Sequence, residues 1–348
     1  MAHGIINRNP FSRPKIRDFQ PSTEPQDFTG STNSTLNGTF IQPIIPTDAH
    51  FSVSEAQLST ALACVGGPRP TGKPGGVILL VHGTYSAPSI VWFESAYVKV
   101  LPNLTPTYDV CYVALPGFAL DDIQISAEYV AYSIMTLAKQ ANSGKVMIVS
   151  HSQGGLGVQW ALTFWPSTHN LVEFFVSLAG DFKGSTLAKL VCLIRCPIAL
   201  SQQRSDSKFI AALNSQNDTF SGAVARVPTF SFFTTADDVV KPQSPGPKAS
   251  SNLTGSYAIP IQSFCGKNYD LKHVGMTKDA TIYNMVLDVI INKSFDPSRI
   301  NMICRLPKTN GGSLTSLPSS NSSSRSTNQE PELQPYVCAR RYATQCKT

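Results

Sequence analysis

Three residue types decide whether a chain can do covalent chemistry on an acyl group: a serine held in a tight turn, a histidine that takes its proton, and a carboxylate behind the histidine. The serine here is Ser152, in the run Ser150, His151, Ser152, Gln153, Gly154. Val146 to Val149, β-branched and apolar, precede it and read as a strand buried on both faces. Leu156, Trp160, Ala161 and Phe164 follow at helical spacing until Pro166 stops them. Strand, sharp turn and helix with serine at the apex is the nucleophile elbow, G-x-S-x-G. Gly154 keeps its second glycine, and Ser150 is small enough to replace the first. Backbone N–H groups at the helix start would then point where an oxyanion forms.

Chain order supplies the partners, because around such an elbow the nucleophile, acid and base follow one another as Ser, Asp or Glu, His. Of the six histidines (His3, His50, His82, His151, His169 and His273) only the last two follow Ser152, and His169 leaves no room for an acid between. His273 is the base by elimination, in a loop from Lys267 to Met276. Asp181 and Asp237 both stand just past expected strands; Asp237 is preferred because it lies nearer the last one, with Asp181 and the adjacent Asp238 as competitors. At the end of another apolar run, Val77 to Val81, His82-Gly83-Thr84 can bring backbone N–H groups and a hydroxyl to the same place as half of an oxyanion hole.

These residues need a scaffold that gathers distant loops at one edge. Strands are expected at 77–81, 108–115, 146–149, 174–178, 229–234 and 256–264, and a short helix near Ser54 to Cys64. Ser126 reads as the cap of a helix bearing Val130, Ile134, Leu137 and Ala138, closed by Gly144; Thr277 reads as the cap of one bearing Ile282, Val286, Val289 and Ile290. Strands alternating with helices imply right-handed crossovers and a mostly parallel central sheet flanked by helices, an α/β fold in one large domain. That domain spans 46–305, after a flexible tail at 1–45 and before a polar low-complexity segment at 306–330 and a tied-down terminus at 331–348. Leu187 to Leu200 carries more apolar surface than a loop needs, and reads equally as a mobile cover or a buried helix.

Composition narrows the class. At 348 residues, 42% hydrophobic, the chain can bury a sizeable core. A formal charge of +6 is mild and its basic residues are scattered, which excludes a nucleic-acid footprint. No run approaches the ~18 apolar residues of a membrane span. The eight cysteines form no C-x-x-C pair and sit near no histidine at metal-ligand spacing, so a disulfide framework and an oxidising compartment are expected, with no metal and no cofactor. Sequons at Asn33, Asn37, Asn103, Asn217, Asn252, Asn292 and Asn321 agree with a secreted glycoprotein, although Met1 to Arg8 leads into no signal-peptide core. A monomer is expected.

Several stretches, Leu79 to Thr84, Ser152 to Leu156, Gln159 to Ser167, Asp181 to Ser185, Ala236 to Gln243 and Asp270 to Gly275, closely resemble the α/β-hydrolase lipases typified by lipase B of Candida antarctica. The likeness runs in matching order from about Ser54 to Cys304. It implies the α/β-hydrolase fold and a lipase or esterase that acts on lipophilic esters such as triacylglycerols, at a lipid–water interface or free in solution. It maps nucleophile, acid and base to Ser152, Asp237 and His273, the oxyanion donors to Thr84 and Gln153, and an acyl-pocket aspartate to Asp181. It pairs Cys64 with Cys111 and Cys265 with Cys304. Against the family pattern, His151 replaces a tryptophan on the alcohol side and Tyr85 replaces a glycine, narrowing the entrance. Gln329 replaces one cysteine of a third disulfide, leaving Cys338 and Cys346 as a rewired pair; Cys192 and Cys196 are extra and would bridge in a short loop under the cover. With polar residues at 306–330 where the family has an apolar wall, a more open site is expected. A non-catalytic lipid- or partner-binding protein on the same scaffold, and a dedicated acyltransferase, are the rivals.

Overall fold

A computed structural model of the protein describes residues 39–193, 195–215, 223–308, 310, 326–327 and 329–347. The expected tail therefore lies outside the described residues up to position 38, as do most of the polar segment at 306–330 and the sequons at Asn33, Asn37, Asn217 and Asn321.

Among the described residues the strands are β1 (Leu62–Cys64), β2 (Val77–Val81), β3 (Asp109–Val113), β4 (Val146–His151), β5 (Val172–Leu178), β6 (Cys196–Pro197), β7 (Thr229–Phe233), β8 (Tyr257–Pro260) and β9 (Ser326–Thr327). Seven form one sheet in the order β1-β3-β2-β4-β5-β7-β8, parallel throughout except that β1 runs against β3. The remaining two, β6 and β9, pair with each other.

Every residue of β2, β4 and β7 is buried, as two-sided coverage of a parallel sheet demands. Period-two alternation divides them between two cores. Leu79, Val81 and Ile148 pack with the helices Ile123–Gln140 and Gly154–Phe164 on one face, while Ile78, Leu80 and Val149 pack with the helix Ala280–Asn292 on the other. This three-layer arrangement is the α/β architecture expected from the alternation of elements.

The strand expectations hold to within two or three residues except at the last, where Pro260 ends β8 and Gln262–Cys265 form a helical turn. The expected helix near 54–64 stops at Thr60, and Leu62–Cys64 instead becomes an edge strand whose Cys64 lies opposite Cys111, to which it is bonded. Two caps differ. Asp122, not Ser126, receives Gln124 N–H, so the helix starts four residues earlier and Ser126 is buried inside it. Asp279, not Thr277, accepts from Thr281 and Ile282 N–H. Aspartate, serine and threonine cap about equally well, so only the backbone path chooses between neighbours.

All eight cysteines are paired: Cys64–Cys111, Cys192–Cys196, Cys265–Cys304 and Cys338–Cys346. The stretch 187–200 is not one buried helix. A short helix, Thr186–Val191, leads to the Cys192–Cys196 loop, and Leu190, Val191 and Leu193 are 61%, 57% and 75% exposed.

Candidate active site

Four neighbouring parallel strands, β2, β4, β5 and β7, deliver their carboxyl ends to one edge of the sheet. The loops that leave them carry Thr84, Ser152, Asp181 and Asp237, at the edge where open α/β sheets place their ligand sites.

At the end of β4 the chain turns so sharply that Ser152 takes a left-handed backbone, φ +56°. For a non-glycine residue this costs about 1–2 kcal/mol, and the turn is closely packed by its neighbours. A Cβ on Gly154 would stand 2.6 Å from the Val81 carbonyl oxygen, and one on Gly83 would stand 2.7 Å from Ser152 Cβ. Gly83 therefore brings the β2 loop directly against the serine. Ser150 occupies the first small position of the elbow and is wholly buried.

Asp237 and His273 meet at the other side. His273 Nδ1 is 2.9 Å from Asp237 Oδ2, while Asp237 Oδ1 accepts from the N–H groups of Val239 and Val240 at 2.8 Å each. Asp237 is therefore the carboxylate partnered to the ring. Asp238 accepts from His273 N–H at 3.0 Å and holds the backbone instead. Burial alone would depress the His273 pKa, but the charge and hydrogen bond of Asp237, with the charges of Asp181 and Asp238, raise it above 6.5. Burial would likewise raise Asp237, and His273 with the two backbone donors lowers it.

His151 links the two sides. Its ring centroid lies 4.7 Å from that of His273, and its Nε2 is 3.1 Å from the His273 carbonyl oxygen. Since a carbonyl only accepts, Nε2 carries the proton. Burial, followed by the charge of His273, lowers its pKa to about 3, so the ring is neutral. Ser152 is the next residue, which puts the elbow beside the His273 loop. His82 acts on the β2 loop instead. Its Nε2 accepts from Leu115 N–H at 2.9 Å and its Nδ1 donates to the Gly83 carbonyl at 3.0 Å, fixing the start of that loop. Burial lowers its pKa to about 4.

Thr84 and Gln153 come together as well. The single hydroxyl proton of Thr84 has Gln153 Oε1 at 3.0 Å and Gln203 Oε1 at 3.1 Å to choose between, while Gln203 Nε2 donates to Thr84 Oγ1 at 2.9 Å. With that amide donating, the hydroxyl proton goes to Gln153. Neither Thr84 N–H nor Gln153 N–H donates to a backbone group among the described residues. Tyr85 follows with φ +54°, half-buried. Gln203 had no local signature in the sequence; only the fold brings residues 84 and 203 together.

Asp181 is buried beyond β5, with no hydrogen-bond partner for either carboxylate oxygen among the described residues. Burial raises its pKa to about 7. Ser152 and His273 are only 6% and 4% exposed, and Asp237 is wholly buried; most of the polar stretch behind the expectation of a more open site lies outside the described residues. Among the described residues no cluster of His, Cys, Asp or Glu could hold a metal ion, and no helix is long and apolar enough to cross a membrane.

No protein-family profile matches the chain. It is 33% identical over 232 residues to lipase B of Pseudozyma antarctica, an alignment covering 66% of this chain and 65% of that protein's length. The crystal structure of Aspergillus fumigatus lipase B superposes with a TM-score of 0.72 at 28% identity, over 90% of this chain and 79% of that one. In sequence and architecture the chain is lipase-B-like, with the α/β-hydrolase fold.

Proposed function

We propose that the protein is a serine carboxyl-ester hydrolase, with Ser152 as nucleophile, His273 as general base and Asp237 as the acid that orients it. The observation that carries the reading is the 2.9 Å contact from Asp237 to His273 Nδ1, on a loop touching His151, directly before a serine with left-handed φ. A proton kept on Nδ1 by Asp237 leaves Nε2 as a base. Nε2 takes the proton of Ser152 as Oγ adds to the ester carbonyl, and Asp237 stabilises the imidazolium. The backbone N–H groups of Thr84 and Gln153 are suited to the resulting oxyanion, and the Thr84 hydroxyl joins them by turning its proton away from Gln153 Oε1. Proton return from Nε2 releases the alcohol, and water cleaves the acyl-enzyme by the same steps reversed.

Acyl esters with apolar chains, triacylglycerols among them, are the substrate class, since both lipase B relatives bear the name lipase. Asp181, His151 and Tyr85 are the pocket residues in this reading. Complete cysteine pairing supports maturation in an oxidising, extracellular setting; a secreted monomer is the proposed form.

A fluorophosphonate probe tests the reading. It should label the wild-type protein once, at Ser152 by peptide mapping, and leave Ser152→Ala unlabelled and inactive with an unchanged melting temperature. Ester hydrolysis by Ser152→Ala above about a thousandth of wild type rejects this nucleophile. An unlabelled wild type would point to the non-catalytic binder, and alcoholysis outrunning hydrolysis in dilute alcohol would point to the dedicated acyltransferase.

A further inference from the structure

We propose that Asn310, which lies outside the described strands, is a positioning residue for His273, clamping its loop on both sides of the ring. The proposal rests on the hydrolase reading and extends it.

Asn310 Oδ1 accepts from Lys272 N–H at 2.8 Å, its Nδ2 donates to the Asp270 carbonyl at 2.7 Å, and its own carbonyl accepts from Gly275 N–H at 3.0 Å. The three partners flank position 273. A side-chain amide offers donor and acceptor on one planar group, so it can serve a carbonyl and an N–H two residues apart in the same loop. The approach is close: a Cβ on Gly275 would stand 2.5 Å from Asn310 Oδ1 and 2.7 Å from Leu271 Cδ1.

The other tethers on either side of the ring come from strand ends. Thr234 donates to the Leu271 carbonyl at 2.7 Å, Asp238 holds His273 N–H, and His151 holds the His273 carbonyl. Asn310 alone among these follows Cys304, whose disulfide to Cys265 returns the chain to the start of the same loop. Without its side chain the Asp270 carbonyl and the Lys272 N–H each lose a hydrogen-bond partner, and the ring's approach to Asp237 loosens. Displacement of a catalytic group by about 1 Å can cost on the order of 100-fold in rate.

The test is Asn310→Ala in the full-length protein. With a p-nitrophenyl ester, kcat should fall about 10- to 100-fold while KM changes less than about twofold. The acid limb of the pH–rate profile should also move to lower pH. The charged and titratable groups facing His273 are Asp237, Asp238, Asp181 and His151; a looser contact with Asp237 weakens the one that raises it most. Independently of turnover, the low-field proton resonance of His273 Nδ1–H should broaden and titrate at lower pH. Wild-type kcat with an unmoved acid limb and resonance overturns the proposal. If wild type itself fails to hydrolyse esters or bind the phosphonate, the hydrolase reading falls, and an unchanged resonance in Asn310→Ala then overturns the clamp separately. Should Asn310→Ala not fold, Asn310→Asp is read in its place. It keeps the acceptor for Lys272 N–H but sets a carboxylate oxygen against the Asp270 carbonyl, so wild-type kcat and resonance there likewise overturn the assignment.

Discussion

On the acid–base side of the site, Asp237 gives Oδ1 to two backbone N–H groups and Oδ2 to His273, and the His273 backbone is bonded at both N–H and C=O. On the side proposed to meet the acyl group, Gln153 Nε2 and both oxygens of Asp181 are buried without a partner among the described residues. A buried polar group left unpaired costs about 1–3 kcal/mol, so the second arrangement is tolerated at the expense of stability. The difference fits the two duties proposed for these residues. Groups that relay a proton must hold one geometry through every turnover, whereas groups that meet substrate need hydrogen-bonding capacity left over. Burial helps on the acyl side too, because an aspartate with a pKa near 7 is partly protonated, and hence a donor, near neutrality.

Asp237→Asn should do the greatest damage, since an amide in place of the carboxylate neither stabilises the imidazolium nor holds the required tautomer. A loss of about 10³- to 10⁴-fold in kcat is expected by analogy with the same change in a serine protease. A loss under tenfold would mean that the bonded side only supports the fold. For the wild type, the acid limb of kcat/KM should lie above pH 6.5, because the imidazole must be neutral to act and its carboxylate neighbours raise its pKa.

Thr84→Val keeps the shape of the side chain and removes the hydroxyl. It should lower kcat by about 10- to 100-fold at nearly constant KM, less than a whole oxyanion donor is worth because the two backbone N–H groups remain. An effect confined to KM would sharpen the comparison differently, making Thr84 a ground-state contact.

Asp181→Asn gives the smallest effect, on stability. The folded pKa of Asp181, about 7, lies above its ordinary 3.8. Between those values the folded state binds more protons, so this residue's contribution to stability declines as pH rises through the window. Asparagine does not titrate. In urea unfolding, the variant should gain on wild type from pH 4 to pH 8, by a few kcal/mol at most. A difference constant with pH would show that the acyl side does not hold a strained carboxyl.

The central strands were legible because burial on both faces leaves uninterrupted apolar runs, and the elbow was legible because strand, small residues, serine and helix all fall within 21 residues, Val146 to Pro166. The sharp turn there is local backbone chemistry. Chain order narrowed the base to His273 and position favoured Asp237 over Asp181 and Asp238, but only the packing of neighbouring strand ends shows which carboxylate meets the ring. Positions 237 and 273 meet because β7 and β8 pair and their following loops pack together, and no period or cap in either loop encodes that contact. The resemblance marks His151 as an alcohol-side position, but nothing in the sequence shows that His273 comes to lie over it. Gln203 and Asn310 bear no local mark at all, since each works on a backbone or side-chain group more than 30 residues away. A hydrogen bond between distant segments depends on how helices and loops stack, and that is decided only when the two cores close around the sheet.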